Sequence, residues 1–220
     1  MTCVKICGIT NLEDALVAAE AGADLLGFIL YPPSPRYIKP EQVQEISRAL
    51  HRTSLKGRRS GNCKTVGVFV NEAPHRIYVM AKQCELDLIQ LSGDEAPEML
   101  SQIGACGYKA LRPRSVSEIQ GLMETYHQAV RGKTPAFILD AFDARRYGGT
   151  GQPADWAIAG EVARRYPILL AGGLTADNVA TAVETVRPWG VDVSSGVERA
   201  PGLKDQAKVK AFIAAVKRDG

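Results

Sequence analysis

Two glycine-containing turns near the end of the chain have the composition of a phosphate-binding site. Ala171-Gly172-Gly173 follows the apolar run Ile168-Leu169-Leu170, and Ser194-Ser195-Gly196 follows Val191-Asp192-Val193. Glycine lets backbone N–H groups approach an anion closely, and a helix that begins behind such a turn adds unpaired N–H donors and the positive end of its dipole. The turns therefore predict phosphate binding by Gly172, Gly173, Ser194, Ser195 and Gly196. For either turn alone, a tight connection that needs glycine is the alternative.

Cys7 and Asp140 carry side chains that can transfer protons. Cys7 ends the short run Val4-Lys5-Ile6-Cys7, and Asp140 directly follows Phe137-Ile138-Leu139. A free thiol has a pKa of about 8.5, so it needs a nearby positive charge to act as a base. Partial burial raises the pKa of a carboxyl, which suits a general acid or base. The alternatives are a small buried apolar residue for Cys7 and a turn or helix cap for Asp140; Asp143 is assigned as a cap.

Lys5 lies on the same strand face as Cys7, because side chains alternate along a strand. If that face points into a closed barrel, Lys5 is buried below Cys7 and needs a counter-ion. Asp192, on the last predicted strand, is the expected partner, since the first and last strands of a barrel are neighbours. Such an ammonium also favours the thiolate form of Cys7.

A proline-rich loop, Tyr31-Pro32-Pro33-Ser34-Pro35-Arg36-Tyr37, carries one arginine. Proline restricts its own backbone and that of the preceding residue, so Arg36 is held at a small ordering cost. A guanidinium in this position suits a substrate carboxylate, which it can bind with two parallel hydrogen bonds. A surface salt bridge is the alternative.

The elements that must position these residues repeat as strand followed by helix. Apolar runs predict strands at 4–7, 24–30, 65–70, 86–91, 107–111, 136–139, 168–170 and 191–193. Helical spacing predicts helices at 10–21, 40–50, 73–84, 96–103, 117–130, 155–165, 177–186 and 204–217. Eight such units without a linker favour the α/β class and a single closed (β/α)8 TIM barrel spanning residues 1–220. An open doubly wound sheet is the alternative.

The barrel prediction brings the chemistry to one rim. Active sites of such barrels lie on the loops after the carboxyl ends of the strands, where Cys7, Arg36, Asp140 and both glycine turns would meet. The segment 51–64 holds much of the basic excess and is predicted to be a surface loop on the opposite face.

Composition argues against several other functions. The net charge is only +3, and segment 51–64 contains no aromatic residue, so nucleic-acid binding is not expected. The five cysteines form no Cys-x-x-Cys and the three histidines are far apart, so we expect neither a disulfide framework nor a metal site. Nicotinamide and nucleotide-phosphate loop motifs are missing, which predicts no such cofactor. With no signal peptide or membrane-length apolar run, a cytoplasmic location is expected.

These residues resemble the phosphoribosylanthranilate isomerase family of tryptophan biosynthesis from end to end. The matching motifs are Val4-Lys5-Ile6-Cys7-Gly8-Ile9-Thr10, Ser34-Pro35-Arg36-Tyr37, Val66-Gly67-Val68-Phe69-Val70-Asn71, Gln90-Leu91-Ser92-Gly93, Leu139-Asp140, Gly149-Thr150-Gly151, Leu170-Ala171-Gly172-Gly173-Leu174 and Asp192-Val193-Ser194-Ser195-Gly196-Val197-Glu198. The family usually has His where this chain has Ser92, a departure in the wall of the substrate pocket.

The resemblance implies an Amadori rearrangement of N-(5′-phosphoribosyl)anthranilate, a small phosphosugar, to 1-(2-carboxyphenylamino)-1-deoxyribulose 5-phosphate without a cofactor. It implies that Asp140 is the general acid, that Cys7 is the general base and that Arg36 binds the anthranilate carboxylate. The segment Tyr147 to Gln152, which contains Gly149-Thr150-Gly151, would be a mobile cover. Another phosphosugar isomerase or epimerase, activity on the related histidine-pathway aminoaldose, and a non-catalytic phosphate-binding barrel remain alternatives. A homodimer and a monomer both remain open.

Overall fold

Eight parallel strands close into a barrel in the order of the chain. The computed structural model describes residues 1–54, 63–140 except 114, 131 and 133, and 154–217. The strands are β1 (Cys3–Cys7), β2 (Leu25–Ile29), β3 (Lys64–Phe69), β4 (Leu88–Leu91), β5 (Gly107–Leu111), β6 (Phe137–Asp140), β7 (Ile168–Ala171) and β8 (Gly190–Val193). The predicted (β/α)8 barrel is therefore confirmed.

A helix follows each strand and covers the outside of the barrel. The helices are α1 (Leu12–Ala21), α2 (Pro40–Ser54), α3 (Pro74–Gln83), α4 (Pro97–Ile103), α5 (Val116–Val130), α6 (Ala154–Ala163), α7 (Val179–Val186) and α8 (Gln206–Lys217). The first helix begins at Leu12, two residues later than predicted, because Asn11 caps it: the Asn11 side chain accepts a hydrogen bond from the Asp14 amide at 2.8 Å. Between β8 and α8 lie a 3-10 turn (Ser195–Val197) and an antiparallel pair, β9 (Glu198–Ala200) and β10 (Leu203–Lys204), which the sequence analysis did not predict.

Pairing between the first and last strands closes the barrel. Cys3 lies opposite Gly190 and Lys5 lies opposite Asp192 in this pair. The register places Lys5 and Asp192 side by side, and both residues are buried. It therefore brings together an ammonium and a carboxylate from opposite ends of the chain.

Alternation along the strands separates two apolar layers. One layer packs between strands and helices and includes Ile6, Phe28 and Phe212. The other, smaller layer includes Leu25, Val66, Tyr108, Ile138 and Leu169. Its residues alternate with the outer layer along the strands, so they fill the interior of the barrel below the strand ends.

The basic segment 51–64 differs from the predicted surface loop at both ends. Residues 51–54 form the last turn of α2, and Lys64 begins β3. Arg52 fits the last helical turn because positive charge there interacts favourably with the helix dipole. Positions 55–62 lie outside the described residues, as do Asp143 and the glycine-rich segment 147–152.

Candidate active site

The carboxyl ends of the strands surround a cavity of about 520 Å³. Its lining consists largely of the last inward-facing residues of the strands and their first loop residues, as strand alternation requires. Cys7, Arg36, Asp140 and Ser194 all line it. The structure therefore brings together the predicted acid, base, carboxylate-binding cation and one residue of the predicted phosphate site.

Cys7 lies at the end of β1, directly above a buried ion pair. The Lys5 ammonium is fully buried and donates a hydrogen bond to an Asp192 carboxylate oxygen at 2.7 Å. The same ammonium interacts with the Cys7 side chain. The expected pairing of Lys5 with Asp192 is thus confirmed, and a positive charge lies beneath the thiol.

The environment of Cys7 acts on its pKa in opposite directions. Burial is the largest effect and raises the pKa of the Cys7 thiol, whereas Lys5 lowers it. Asp192 raises this pKa again, and Lys204 lowers it. The net shift is upward, so the resting thiol is protonated at neutral pH. A thiolate formed here is a stronger base than one at the ordinary pKa.

Gly27 on β2 provides the space that Cys7 and Lys5 occupy. A Cβ at this position would lie 2.7 Å from the Cys7 sulfur and 3.2 Å from the Lys5 ammonium. Both distances are shorter than ordinary van der Waals contacts. The absence of a side chain at Gly27 is therefore required by the thiol and its ammonium, and the sequence analysis did not single it out.

Asp140 is the last residue of β6 and lies on the cavity wall. Its side chain is 40% exposed, so solvent and a ligand can reach it. The guanidinium Nε of Arg112 lies 4.0 Å from a carboxylate oxygen of Asp140, and Arg112 also donates to the Ser92 carbonyl at 3.1 Å. Arg112 therefore adds a second cation to the rim of the cavity, next to the predicted acid.

Arg36 reaches the cavity and is bound by a carboxylate of the chain itself. Its Nε donates to both carboxylate oxygens of Glu198, at 2.9 and 3.1 Å, and its Nη2 donates to one of them at 2.8 Å. These bonds use one edge of the guanidinium and leave Nη1 for a ligand. The Arg36 side chain is 23% exposed, so this pair is not the surface salt bridge that was the alternative prediction.

Lys204 connects this pair to two strand ends. Its buried ammonium donates to the carbonyl of Cys7 at 2.6 Å, to Glu198 at 2.9 Å and to the carbonyl of Ser194 at 3.3 Å. Burial lowers the pKa of Lys204, while Glu198 counteracts that effect. Burial alone would raise the pKa of Glu198, but Arg36 and Lys204 lower it overall, so this carboxylate is ionised.

The two glycine turns of the predicted phosphate site contact each other. A Cβ on Gly196 would lie 1.9 Å from the carbonyl oxygen of Leu174, so only glycine permits this approach. Gly172 and Gly173 have φ angles of 97° and 61°, in the left-handed region that glycine adopts without strain. The turns after β7 and β8 therefore form one continuous surface.

The helical part of this prediction is different in the structure. Behind the first turn, α7 begins only at Val179, and the Asn178 side chain bridges the gap by accepting from the Thr175 amide and donating to the Gly173 carbonyl. Behind the second turn lies the short 3-10 turn Ser195–Val197. No helix therefore begins directly after either turn. After the first turn, residues 174–178 connect to α7 and are held by the Asn178 side chain. After the second turn, the 3-10 turn and the β9–β10 pair precede α8.

Ser194 supplies a polar group that faces the cavity. Its hydroxyl is buried and makes no hydrogen bond with the described residues. A buried hydroxyl without a partner is costly. A ligand oxygen in the cavity would provide that partner.

Polar side chains of β4 and β5 form the opposite wall. The Gln90 amide donates to the Ser92 hydroxyl at 2.9 Å and accepts from the Tyr108 hydroxyl at 3.0 Å. Ser92 is buried, so its side chain is fixed in this chain of hydrogen bonds. The position at which the family usually has His is thus filled by a small hydroxyl that accepts a hydrogen bond from Gln90.

The sequence analysis missed Arg112 and Lys204 as parts of the site and placed Glu198 only in the phosphate motif. The sequence analysis made Lys204 the first residue of the last helix, whereas Lys204 ends β10 and the helix begins at Gln206. The contacts of Lys204 depend on the β9–β10 pair. Among the described residues, no group of three His, Cys, Asp or Glu side chains is arranged to hold a metal ion. No described helix is both long and apolar enough to cross a membrane.

Comparison with known proteins identifies the family. Residues 4–215 match the family described as N-(5'phosphoribosyl)anthranilate (PRA) isomerase. The N-(5'-phosphoribosyl)anthranilate isomerase of Geobacter sulfurreducens is 46% identical over 213 residues, which cover 97% of each chain. That of Pelobacter propionicus is 47% identical over 210 residues, covering 96% of this chain and 93% of the relative.

Solved structures agree with this result. The Thermotoga maritima phosphoribosyl anthranilate isomerase has a TM-score of 0.85 and 39% identity, covering 99% of this chain and all 100% of that one. A phosphoribosyl anthranilate isomerase crystallised with reduced 1-(o-carboxyphenylamino)-1-deoxyribulose 5-phosphate has a TM-score of 0.82 and 38% identity, with coverage of 99% and 100%. The chain therefore belongs to the N-(5'-phosphoribosyl)anthranilate isomerase family, an enzyme family of tryptophan biosynthesis.

Proposed function

We propose that this cavity catalyses the rearrangement of N-(5′-phosphoribosyl)anthranilate to 1-(2-carboxyphenylamino)-1-deoxyribulose 5-phosphate without a cofactor. The observation that carries the assignment is that Cys7, Asp140, Arg36 and Ser194 line one cavity. The reaction needs an acid, a base, a cation for a benzoate and a site for a phosphate. Each of these requirements has a matching group at this rim.

Asp140 acts first, as the general acid. Its carboxyl proton goes to the ribose ring oxygen, the bond from that oxygen to C1′ breaks, and the anilino nitrogen forms a double bond to C1′. The intermediate is a cationic Schiff base. The position of Asp140 at the end of β6, on the cavity wall and partly exposed, supports this role because the group must contact the substrate.

Cys7 acts second, as the general base. The thiol, which is protonated at rest, first releases its proton to solvent once the Schiff-base cation has formed. The thiolate then removes the proton from C2′, the C–H electron pair forms a C1′–C2′ double bond, and the C1′–N π pair returns to the nitrogen. The resulting enolamine tautomerises to the ketone. Lys5 below the sulfur and the Schiff base above it both favour the thiolate. The cation that the first step creates therefore assists the second step.

Arg36 and the glycine turns hold the two ends of the substrate. The free Nη1 edge of Arg36 binds the anthranilate carboxylate, and Gly172, Gly173, Ser194, Ser195 and Gly196 bind the phosphate. The crystallised relative with a reduced product analogue supports a ligand that carries both anions. Anchoring both ends fixes C1′ and C2′ between the acid and the base.

Turnover of freshly made phosphoribosylanthranilate tests this proposal. We expect its fluorescence to decay rapidly with wild-type protein, equally with and without a chelator. The Asp140→Asn variant should lose turnover while it retains affinity for the reduced product analogue, and Cys7→Ser should slow turnover by about 10²- to 10⁴-fold. A Cys7→Ser variant with near-normal kcat would remove the base assignment, and an inactive wild type would reject the proposed reaction.

We also propose that the chain forms a homodimer. The supporting observation is a structure of monomers generated from the phosphoribosylanthranilate isomerase of Thermotoga maritima, whose description calls that enzyme dimeric; it is 38% identical to this chain with a TM-score of 0.81. Light scattering on the purified protein tests this point. A mass near 23.7 kDa, that of one chain, would reject the dimer.

A cytoplasmic location completes the proposal. All five cysteines, Cys3, Cys7, Cys63, Cys84 and Cys106, are free thiols. Unpaired thiols are typical of reducing compartments. Cell fractionation should recover the protein with cytoplasmic markers, and recovery with an oxidising compartment would contradict this assignment.

A further inference from the structure

Three charged side chains form a compact cluster behind the cavity wall. Arg36 and Lys204 both bind the carboxylate of Glu198, and Glu198 and Lys204 are almost completely buried. Two cations thus share one carboxylate. Groups that are buried in this way interact strongly, because little solvent lies between them.

The cluster carries one more positive charge than negative charge. Glu198 is ionised, since Arg36 and Lys204 together hold its pKa below the usual range. Arg36 and Lys204 contribute two positive charges, so one remains without a counter-ion inside the cluster. The only member that reaches the cavity is Arg36. An anion bound at Nη1 of Arg36 would neutralise the remaining positive charge of the cluster.

Lys204 attaches the cluster to the site on two sides. Its bonds to the carbonyls of Cys7 and Ser194 join the end of β1 to the end of β8. These strands carry the proposed base and part of the proposed phosphate site. The cluster therefore sits at fixed distance from both, and Glu198 transmits this position to the Arg36 guanidinium through three hydrogen bonds.

We propose that Glu198 and Lys204 are positioning residues that aim Arg36 at the carboxylate of the substrate and leave one unbalanced positive charge there. This inference rests on the proposed function, because it assumes that Arg36 binds that carboxylate. It assigns carboxylate selectivity to a three-residue unit rather than to one arginine. Neither Glu198 nor Lys204 touches the substrate in this assignment.

Two ligands separate positioning from general damage. One is reduced 1-(2-carboxyphenylamino)-1-deoxyribulose 5-phosphate, and the other is the same molecule with an unsubstituted phenyl ring. Calorimetry gives the ratio of their Kd values, which we call the carboxylate preference. A charge-assisted hydrogen bond predicts a preference of about 10- to 150-fold in the wild type. Loss of fold or of phosphate binding would weaken both ligands equally and leave the preference unchanged.

The Glu198→Gln variant removes the carboxylate that holds the Arg36 guanidinium through three hydrogen bonds. Although it also adds one positive charge to the cluster, we expect the loss of orientation to dominate and to lower the carboxylate preference at least fivefold, while the carboxylate-free ligand binds almost as in the wild type. The double variant Glu198→Gln/Lys204→Met, which keeps the wild-type charge, separates the two effects. In an Arg36→Met background the Glu198→Gln change should have no further effect on the carboxylate preference, because Glu198 acts only through the Arg36 guanidinium. Lys208→Met is the matched control. Lys208 is exposed and donates to the backbone carbonyl of Glu198 rather than to its carboxylate, so the preference should persist.

A double variant controls for misfolding caused by a buried ammonium that has lost its counter-ion. Glu198→Gln leaves the buried Lys204 ammonium with fewer partners, whereas Glu198→Gln/Lys204→Met removes that ammonium and keeps the net charge of the cluster at one positive. This double variant should also lose at least fivefold of the preference. A preference equal to that of the wild type in the double variant would overturn the inference.

The result with Arg36→Met alone distinguishes the proposed role of Arg36 from the positioning role of Glu198 and Lys204. If that variant keeps the wild-type preference, Arg36 does not bind the carboxylate, and both the proposed role of Arg36 and this inference are wrong. If Arg36→Met abolishes the preference but the Glu198 and Lys204 variants keep it, only the inference is wrong. Loss of the carboxylate preference in Arg36→Met, in Glu198→Gln and in Glu198→Gln/Lys204→Met supports both the role of Arg36 and the inference.

Discussion

The ammonium of Lys5 lies 2.7 Å from a carboxylate oxygen of Asp192, inside the barrel and directly below Cys7. Burial alone would lower the pKa of Lys5, but the adjacent carboxylate reverses this effect and raises the pKa well above its ordinary value. The lysine is therefore charged at neutral pH. This pair couples the stability of the barrel to the chemistry of the thiol above it.

Breaking this pair should destabilise the protein strongly. Lys5→Met leaves the buried Asp192 carboxylate without its counter-ion, which costs about 3–5 kcal/mol of unfolding free energy. Lys5→Met/Asp192→Leu removes both charges and should recover most of this loss. Urea unfolding measures all three proteins, and a single variant as stable as the wild type would contradict the prediction.

The same double variant tests the effect of Lys5 on Cys7. Lys5 lowers the pKa of the thiol more than Asp192 raises it, so removing both should raise the pKa and reduce the thiolate fraction. Alkylation of Cys7 by iodoacetamide at pH 8, followed by peptide mass spectrometry, should then be slower. Equal rates in the variant and the wild type would show that Lys5 does not act on the sulfur.

Gly27→Ala should damage the site by crowding. The added methyl would lie 2.7 Å from the Cys7 sulfur, so the thiol must move away from its position above Lys5. We expect a loss of kcat of at least tenfold and a destabilisation of about 1–3 kcal/mol. Gly121→Ala is the control, because its Cβ would meet nothing within 4 Å on an exposed face of α5. That change should stabilise the protein by about 0.5–1 kcal/mol and leave kcat unaltered.

Gly196→Ala should separate the two glycine turns. Its methyl cannot occupy a position 1.9 Å from the Leu174 carbonyl oxygen, so one turn must shift. If these turns bind the substrate phosphate, KM and the inhibition constant for inorganic phosphate should both rise at least tenfold. Gly160→Ala in α6 is the control, since its Cβ would make only ordinary contacts at 3.8 Å or more. An unchanged phosphate inhibition constant in Gly196→Ala would place the phosphate elsewhere.

Two thiols, one partly buried and one buried, should make the protein less stable at alkaline pH. Burial, reinforced by Asp24, raises the pKa of Cys3 to about 12, and burial also raises that of Cys63. In the unfolded chain these thiols ionise near pH 8.5, so between about pH 8.5 and 12 the unfolded state has lost protons that the folded state keeps. The free energy of unfolding should therefore fall by up to about 1.4 kcal/mol per pH unit for each thiol.

Urea unfolding at pH 8, 9 and 10 measures this slope. Cys3→Ala should flatten it by up to about 1.4 kcal/mol per pH unit. The absolute stability of that variant does not enter the comparison, because only its change with pH is used. A slope that is the same with and without Cys3 would show that this thiol does not cause the alkaline destabilisation.

The sequence alone determined the order of elements, the closed barrel and the rim on which the site lies. These follow from local patterns: apolar runs predict strands, helical spacing predicts helices, and their repetition predicts the barrel. Alternation along β1 even predicted the Lys5–Asp192 pair, because closure of a barrel makes the first and last strands neighbours. Local periodicity was sufficient to predict contacts between strands wherever closure of the barrel allowed only one order of neighbours.

Only the tertiary structure determined which side chains contact one another around the site. Arg36 binds Glu198 across 162 positions of sequence, and Lys204 reaches Cys7 across 197. Both contacts depend on the β9–β10 pair, whose short strands carry no clear periodic signal. The space at Gly27 and the contact of Gly196 with Leu174 likewise depend on distances between elements. Such pairings are set by the packing of distant segments, which composition and spacing do not encode.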